Sequence, residues 1–346
     1  MKAAILENQG VITYQDVPVP ALQPGHALMR VETASICGSD IKRYVSGHRM
    51  YPLILGHECA GVIESVGEGV SNDLIGKHAA VIPLVPCFKC EQCQRGRYSA
   101  CHNYSFIGSR QPGGFAEYVA LPEQCIFVVP DELSFEYVAL LEPATVGRHM
   151  LALGDFTAGQ TAAVLGAGSI GLMLVQWLRI LGASQIIVTD ISNANLEIAR
   201  RLGASVTLNG REVDIVKEIR TLTSDGVDLT LEATGVPAVL EQTISITRPR
   251  GKIVLGGNQP LDQSLPLTFI ENMMRRELSI IGCFMSYSAP FPGHEWDDTI
   301  QALLNGQLDM PTMISHRFPL SEAPDVFAKI GAHQLTHLKI MLNPKA

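Results

Sequence analysis

The chain has 346 residues, 47% hydrophobic and 17% charged, with a formal net charge of −8 and a pI of about 5.7. The length exceeds what one hydrophobic core usually supports, so two domains are expected, and a charged fraction below the roughly 25% usual for soluble domains points to surface buried between subunits. The acidic balance without a Lys/Arg-dense block excludes a general nucleic-acid binder, and the lack of an apolar run near 18 residues excludes a membrane span.

The opening stretch, "MKAAILENQG", carries no apolar signal-peptide core. A cytoplasmic protein is therefore expected, in which thiols stay reduced and clustered cysteines read as metal ligands. Short strands are predicted at "HALMRVETASI", "AGVIESVG" and "KHAAVIPLV", each broken by Gly or Pro. Near Thr161 the texture changes: "TAAVLGAGSIGLMLVQWLRILGA" reads as strand, Gly turn and helix, "SQIIVTD" as a second strand, and "NANLEIARRLGA" as an amphipathic helix. "VDLTLEATG", "GKIVLGG" and "ELSIIGCF" add further strands, and strands alternating with helices make a parallel sheet. Beyond Met285 the pattern returns to loops, one helix at "EWDDTIQALLNG" and short strands. The expected architecture is a mainly-β domain over 1–147 and 286–346, interrupted by a doubly wound α/β domain over 148–285.

Four of the eight cysteines, Cys87, Cys90, Cys93 and Cys101, fall in a lobe at about 86–102 with the spacing C-x2-C-x2-C-x7-C. Four thiolates close a tetrahedron around Zn²⁺, and with no position left for a substrate the site is structural, supplying order to a lobe poor in apolar residues. Lys89, Arg95 and Arg97 offset the negative charge of such a centre. The spacing alone also admits an iron–sulfur cluster or four ordinary thiols.

A second constellation is dispersed. Cys37 in "SICGSD", His57 and Glu58 in "LGHECAG", and Glu142 in "LLEPATVG" each lie at or just past a strand-like segment. Cys37, His57 and Glu142 supply three ligands and leave one position open, as a catalytic zinc requires; Glu58, adjacent to His57, reads as a partner of zinc-bound water or a transient substitute for it. Taken singly each has a plain structural reading, and only their joint occurrence carries weight.

"VLGAGSIG" places Gly166, Gly168 and Gly171 as G-x-G-x-x-G between strand and helix. Gly166 permits the turn, Gly168 lets backbone approach a pyrophosphate, Gly171 lets helix and strand pack, and the first helical residues, Ser169 and Ile170, point N–H groups at the phosphates. Asp190 closes the next strand, where a carboxylate accepts from a ribose 2′-hydroxyl and repels a 2′-phosphate; "ISNAN" after it has no Arg, which favours NAD over NADP.

Taken together, "CGSD", "GHECAGVIESVG", the four-cysteine lobe, "GGFAEYV", "EPATVG", the glycine fingerprint and "EATG" resemble the zinc-dependent medium-chain dehydrogenases over the whole length, in the polyol (sorbitol) dehydrogenase branch and its polyol-phosphate members. The resemblance implies a GroES-like catalytic domain plus a Rossmann NAD-binding domain with the active site in the cleft between them. It implies two zinc ions per chain, NAD as cofactor, Thr234 of "EATG" among the cofactor contacts, and a homodimer or homotetramer. Glutamate at position 142, where alcohol dehydrogenases of the family place cysteine, carries the polyol assignment. Asn195 departs from the pattern, since polyol relatives often have a basic residue there.

The activity so implied is reversible oxidation of a secondary alcohol to a ketone with hydride transfer to NAD⁺, Ser39 relaying the hydroxyl proton and Asp40 bracing the site. The substrate expected is a polyol or polyol phosphate, with unphosphorylated polyols, sugar acids, 2,3-diols and L-threonine as alternatives; a non-catalytic NAD-binding protein would be expected to lack the zinc ligands. A phosphate needs a cation, and Arg110 in "GSRQPGG" is the first choice among Lys42, Arg43, Arg49, Arg110 and Arg148. Tyr51 and His48, in "GHRMYP", are read as lining the pocket. His333 and His337 share i, i+4 spacing, which is a metal pair only on a helix, and "LKIMLNP" after them reads as a strand.

Overall fold

A computed structural model describes residues 1–258 and 264–345. The chain divides into two compact units, Met1–Glu142 with Tyr287–Ile300 and Met310–Ala346, and Pro143–Ser286 with Gln301–Asp309.

The first unit is built on a seven-stranded sheet. Its order is Ile126–Val128, His78–Val81, Glu58–Val66, His26–Ser35, Lys339–Asn343 and Ile314–Pro319, with Tyr118–Pro122 also paired to His26–Ser35. The long strand "HALMRVETAS" buries Ala27, Leu28, Met29, Val31 and Ala34, because both of its faces are covered. A three-stranded sheet joins Val11–Asp16, Lys2–Asn8 and Leu53–Ile54. This unit has the mainly-β character expected of a GroES-like domain.

The second unit holds six parallel strands in the order Val206–Asn209, Gln185–Asp190, Thr161–Leu165, Val227–Glu232, Thr247–Leu255 and Ser279–Gly282. In chain order this is 3-2-1-4-5-6, the Rossmann arrangement, with its reversal between Thr161–Leu165 and Val227–Glu232. Parallel strands covered on both faces need continuous apolar runs, and Ala162–Leu165 and Ile186–Val188 are buried throughout. The helix Ile215–Thr223 closes one face with Ile215 and Ile219 against Leu165, Ile187 and Val227; Asp214 caps it by accepting from the Lys217 N–H at 3.1 Å.

The units meet in sequence at 142/143 and 286/287, against 147/148 and 285/286 in the sequence reading, and the second also claims Gln301–Asp309. Hydrogen bonds account for the added pieces. The Trp177 indole donates to the Ala144 carbonyl at 2.9 Å, and the Asp309 N–H donates to Gln176 Oε1 at 2.6 Å. Among the described residues no helix is long and apolar enough to cross a membrane.

Candidate active site

Strand register assembles the first constellation. Ser35 pairs with Glu58 and, on its other side, with Met341, so the chain leaving towards Cys37, the chain arriving through His57 and the chain arriving through Lys339 share one end of the sheet. Cys37 then caps the helix Gly38–Ser46, whose first turn carries Ser39 and Asp40. Gly56, ahead of His57, has φ +91°, and a Cβ there would lie 2.5 Å from the Phe115 ring, so only glycine makes this turn.

Donor atoms of Cys37, His57 and Glu58 lie within 4.8 Å of one another. Glu142, in the first turn of the helix Leu141–Leu153, stands outside that tight group, yet it is buried and feels the charges of His57, Glu58 and Lys339. Both oxygens of Glu58 accept from Lys339 Nζ, at 2.5 and 2.6 Å, and both residues are buried. The sequence reading gave Glu58 zinc-bound water as its partner and did not see Lys339, whose signal was a single lysine inside the apolar strand "KIMLN". Asp40 accepts from the Cys37 N–H at 3.2 Å through one oxygen, while the other accepts from Arg43 Nη1 at 3.2 Å and faces His57 Nδ1 at 3.5 Å, an ion-pair distance at which that buried nitrogen makes no hydrogen bond among the described residues. A carboxylate facing one ring nitrogen leaves the other for a metal.

Burial pushes the Glu142 carboxyl up to about 7, partly countered by His57. Burial would depress His57, but Asp40 and Cys37 outweigh it and hold the imidazole well above its ordinary value. A bound divalent cation would favour the carboxylate form of Glu142 and the neutral imidazole of His57, and the donors gathered here, Cys37, His57 and Glu58 with Glu142 within electrostatic reach, suit a zinc. Ser39 is adjacent, its Oγ accepting from Arg43 Nη1 at 2.8 Å.

The four-cysteine lobe has the dimensions of a metal centre. Sγ–Sγ separations are 3.6 Å for Cys90–Cys93, 3.9 Å for Cys90–Cys101 and 4.0 Å for Cys87–Cys93. A tetrahedron with Zn–S bonds of about 2.3 Å has edges of about 3.8 Å. All four thiols are free of disulfides. Backbone N–H groups of Cys87 and Cys90 point at the sulfurs of Cys101 and Cys87. Backbone N–H bonds draw the Cys90 thiol down to about 6, whereas burial pushes Cys93 up to about 12.

In the second unit the glycine turn follows the strand Thr161–Leu165 at the reversal of strand order. A Cβ on Gly171 would lie 1.8 Å from the Gly166 carbonyl oxygen, so the helix Ser169–Ile180 packs against the turn only with glycine. A Cβ on Gly168 meets nothing within 4 Å, so protein packing does not demand glycine there, and the open space over a helix N-terminus fits a dinucleotide phosphate. Asp190 accepts from the Ala167 and Ser192 N–H groups at 2.7 and 2.8 Å, clamping the turn. Thr234, whose N–H donates to Glu232 at 2.6 Å, sits against Gly166 across the switch point. Ile170 begins the helix beside Ser169.

The remaining site expectations separate. The Arg110 guanidinium stacks 3.8 Å from the Tyr104 ring centroid and donates to the Tyr104 carbonyl at 2.7 Å. Tyr51 lines an open cleft with His48, Arg43 and Arg49, and Arg110 is not part of that lining. His333 and His337 lie beyond the helix Ala323–Gly331, the latter bonded to the Leu335 carbonyl at 3.0 Å, so they form no helical pair.

Two family matches cover most of the chain: the alcohol dehydrogenase GroES-like domain over residues 23–131 and the zinc-binding dehydrogenase over 169–305. Galactitol 1-phosphate 5-dehydrogenase of Escherichia coli is 34% identical over 325 residues, 92% of each chain. Sorbitol dehydrogenase of Bacillus subtilis is 35% identical over 99% of this chain and 97% of its own. The crystal structure of galactitol-1-phosphate dehydrogenase from Escherichia coli superposes with a TM-score of 0.95 at 32% identity, over 99% of this chain and 100% of that one. The chain belongs to the zinc-dependent medium-chain dehydrogenases, in their polyol dehydrogenase branch.

Proposed function

We propose that this protein oxidises a secondary hydroxyl of a sugar alcohol or sugar-alcohol phosphate to a ketone, reversibly, with NAD⁺ as hydride acceptor. The observation that carries the reading is the gathering of donor atoms from Cys37, His57 and Glu58 within 4.8 Å of one another, with the buried Glu142 carboxyl within reach of their charges, and Cys37, His57 and Glu142 are read as the zinc ligands. Zinc held there supplies Lewis-acid polarisation of the carbinol oxygen, and NAD⁺ takes the hydride. The chain's own part is positional. Asp40 orients His57, and Lys339 pairs with Glu58, whose carboxylate lies within 4.8 Å of the Cys37 and His57 donors. Ser39, with a lone pair engaged by Arg43, keeps its own O–H free to pass a proton onward. Gly168, Ser169, Ile170 and Gly171 receive the pyrophosphate, and Asp190 and Thr234 border the nucleotide. A second zinc in the four-cysteine lobe is structural, which suits the reducing cytoplasm.

Copies of the chain associate as a homodimer or homotetramer in this reading. The support is the helix Leu267–Arg275, which exposes Leu267 (87%) and Met274 (68%) next to Ser279–Gly282 at the open edge of the six-stranded sheet. The test of function is NAD⁺ reduction followed at 340 nm over a panel of polyols, polyol phosphates, sugar acids, 2,3-diols and L-threonine, with metal analysis on the same sample. Two zinc equivalents per chain and turnover of a polyol or its phosphate are expected; turnover confined to threonine or a 2,3-diol would overturn the substrate class.

A further inference from the structure

The helix that begins with Cys37 and Ser39 ends at Ser46 and turns through Gly47–Tyr51, and this turn lines an open cleft of about 860 Å³. The cations in its lining are Arg43 and Arg49, beside His48, and no carboxylate belongs to that lining among the described residues. The remaining lining is polar: Asn8, Gln9, Ser46, Tyr51 and Ser109.

The donors in this cleft are only partly used. Arg43 spends Nη1 on Ser39 Oγ at 2.8 Å and on Asp40 at 3.2 Å, leaving Nε and Nη2 without a hydrogen bond among the described residues. Arg49 is exposed and has no ion pair among them. His48 Nε2 lies 2.8 Å from the Ser109 carbonyl, which can only accept, so Nε2 carries the hydrogen and the ring is held in place. The Tyr51 hydroxyl accepts from the His48 N–H at 2.6 Å, so its own proton is free to donate. Arg43 therefore touches the proton-relay serine at one end and lines the cationic cleft with the rest of its side chain.

We propose that this cleft is an anion subsite receiving the phosphate monoester of a phosphorylated sugar alcohol, with Arg43, Arg49 and the Tyr51 hydroxyl facing the phosphate while the reacting carbinol lies near Ser39. The proposal rests on the dehydrogenase reading above and selects the phosphorylated substrate within it. A phosphate monoester brings close to two negative charges and three strong acceptor oxygens, which suits donors arriving from separate points better than a two-oxygen carboxylate does. The position first read as the phosphate contact, Arg110, is committed to Tyr104 instead.

The test compares kcat/KM of the zinc-loaded full chain for galactitol 1-phosphate and galactitol. Wild type should favour the phosphate ester by more than about a hundredfold, and Arg49→Ala should lower that ratio roughly ten- to a hundredfold through KM, the usual effect of removing a charge-assisted hydrogen bond. Tyr51→Phe, which removes only the hydroxyl, should lower the ratio as well. Lys42→Ala removes the same charge from an exposed neighbour outside the cleft and should leave the ratio within about twofold. Inorganic phosphate should compete with the ester, and calorimetric titration should show its binding weakened in Arg49→Ala. Equal turnover of the two substrates, preference for a sugar acid, or a ratio unmoved in both Arg49→Ala and Tyr51→Phe overturns the proposal. Failure of every sugar alcohol to reduce NAD⁺ removes the dehydrogenase reading instead. The phosphate titration then judges the cleft alone: binding weakened in Arg49→Ala keeps the anion site, and binding unchanged removes it.

Discussion

Replacing Lys339 by Met isolates the energetics of the buried pair beside the metal site. Lys339 Nζ lies 2.5 and 2.6 Å from the two oxygens of Glu58, and the residues are 2% and 1% exposed. At an effective dielectric constant near 20, charges about 2.6 Å apart attract by about 6 kcal/mol, and desolvating both ions consumes several kcal/mol of that. The net value of the pair is therefore small, yet removing one partner leaves a carboxylate buried with no cation against it, which costs about 3–5 kcal/mol. At about 2–4 °C per kcal/mol for units of this size, the melting temperature should fall by roughly 6–20 °C. The chain has two tryptophans, Trp177 in the second unit and Trp296 in the first, so Trp296 fluorescence in a Trp177→Phe background follows the unit that holds the pair. Adding Glu58→Gln to Lys339→Met removes the stranded charge and should recover at least half of the loss. A Lys339→Met protein within about 1 kcal/mol of wild type, or a double variant no better than the single one, would refute the reasoning.

Three further outcomes are expected. Asp40→Asn loosens the orientation of His57 and should weaken the first-released zinc roughly 10–100-fold in a chelator competition, while the four-cysteine zinc stays bound. Gly171→Ala drives a Cβ into the Gly166 carbonyl and should abolish NADH binding in a fluorescence titration and lower the melting temperature of the second unit. Asp228 is partly desolvated, but hydrogen bonds from the Thr161 N–H and hydroxyl and from Arg248 hold its carboxyl below its usual value. A lowered folded value means stability present above the unfolded pKa of about 3.9 and lost as pH falls through the folded one. Asp228→Asn should thus flatten the acid limb of urea stability below about pH 4, read by Trp177 fluorescence.

What could be read from the sequence was whatever depends on short-range chemistry. Four cysteines within fifteen positions bring four thiols together, because the chain between them is too short to separate them. Three glycines after an apolar strand determine a tight strand–turn–helix, because helix packing forbids a side chain at Gly171 and Gly168 stands bare at the helix start. The tertiary structure decided the long-range pairings. Lys339 and Glu58 are 281 positions apart and meet only because Lys339–Asn343 and Glu58–Val66 flank the same strand, and no periodicity in either segment announces it. The choice among arginines was likewise structural. Arg43, Arg49 and Arg110 look alike as letters, and the fold gives Arg110 a tyrosine ring and a carbonyl while leaving the other two to line a cleft without carboxylates, since a charge's role depends on what stands within a few ångströms of it and not on its place in the chain.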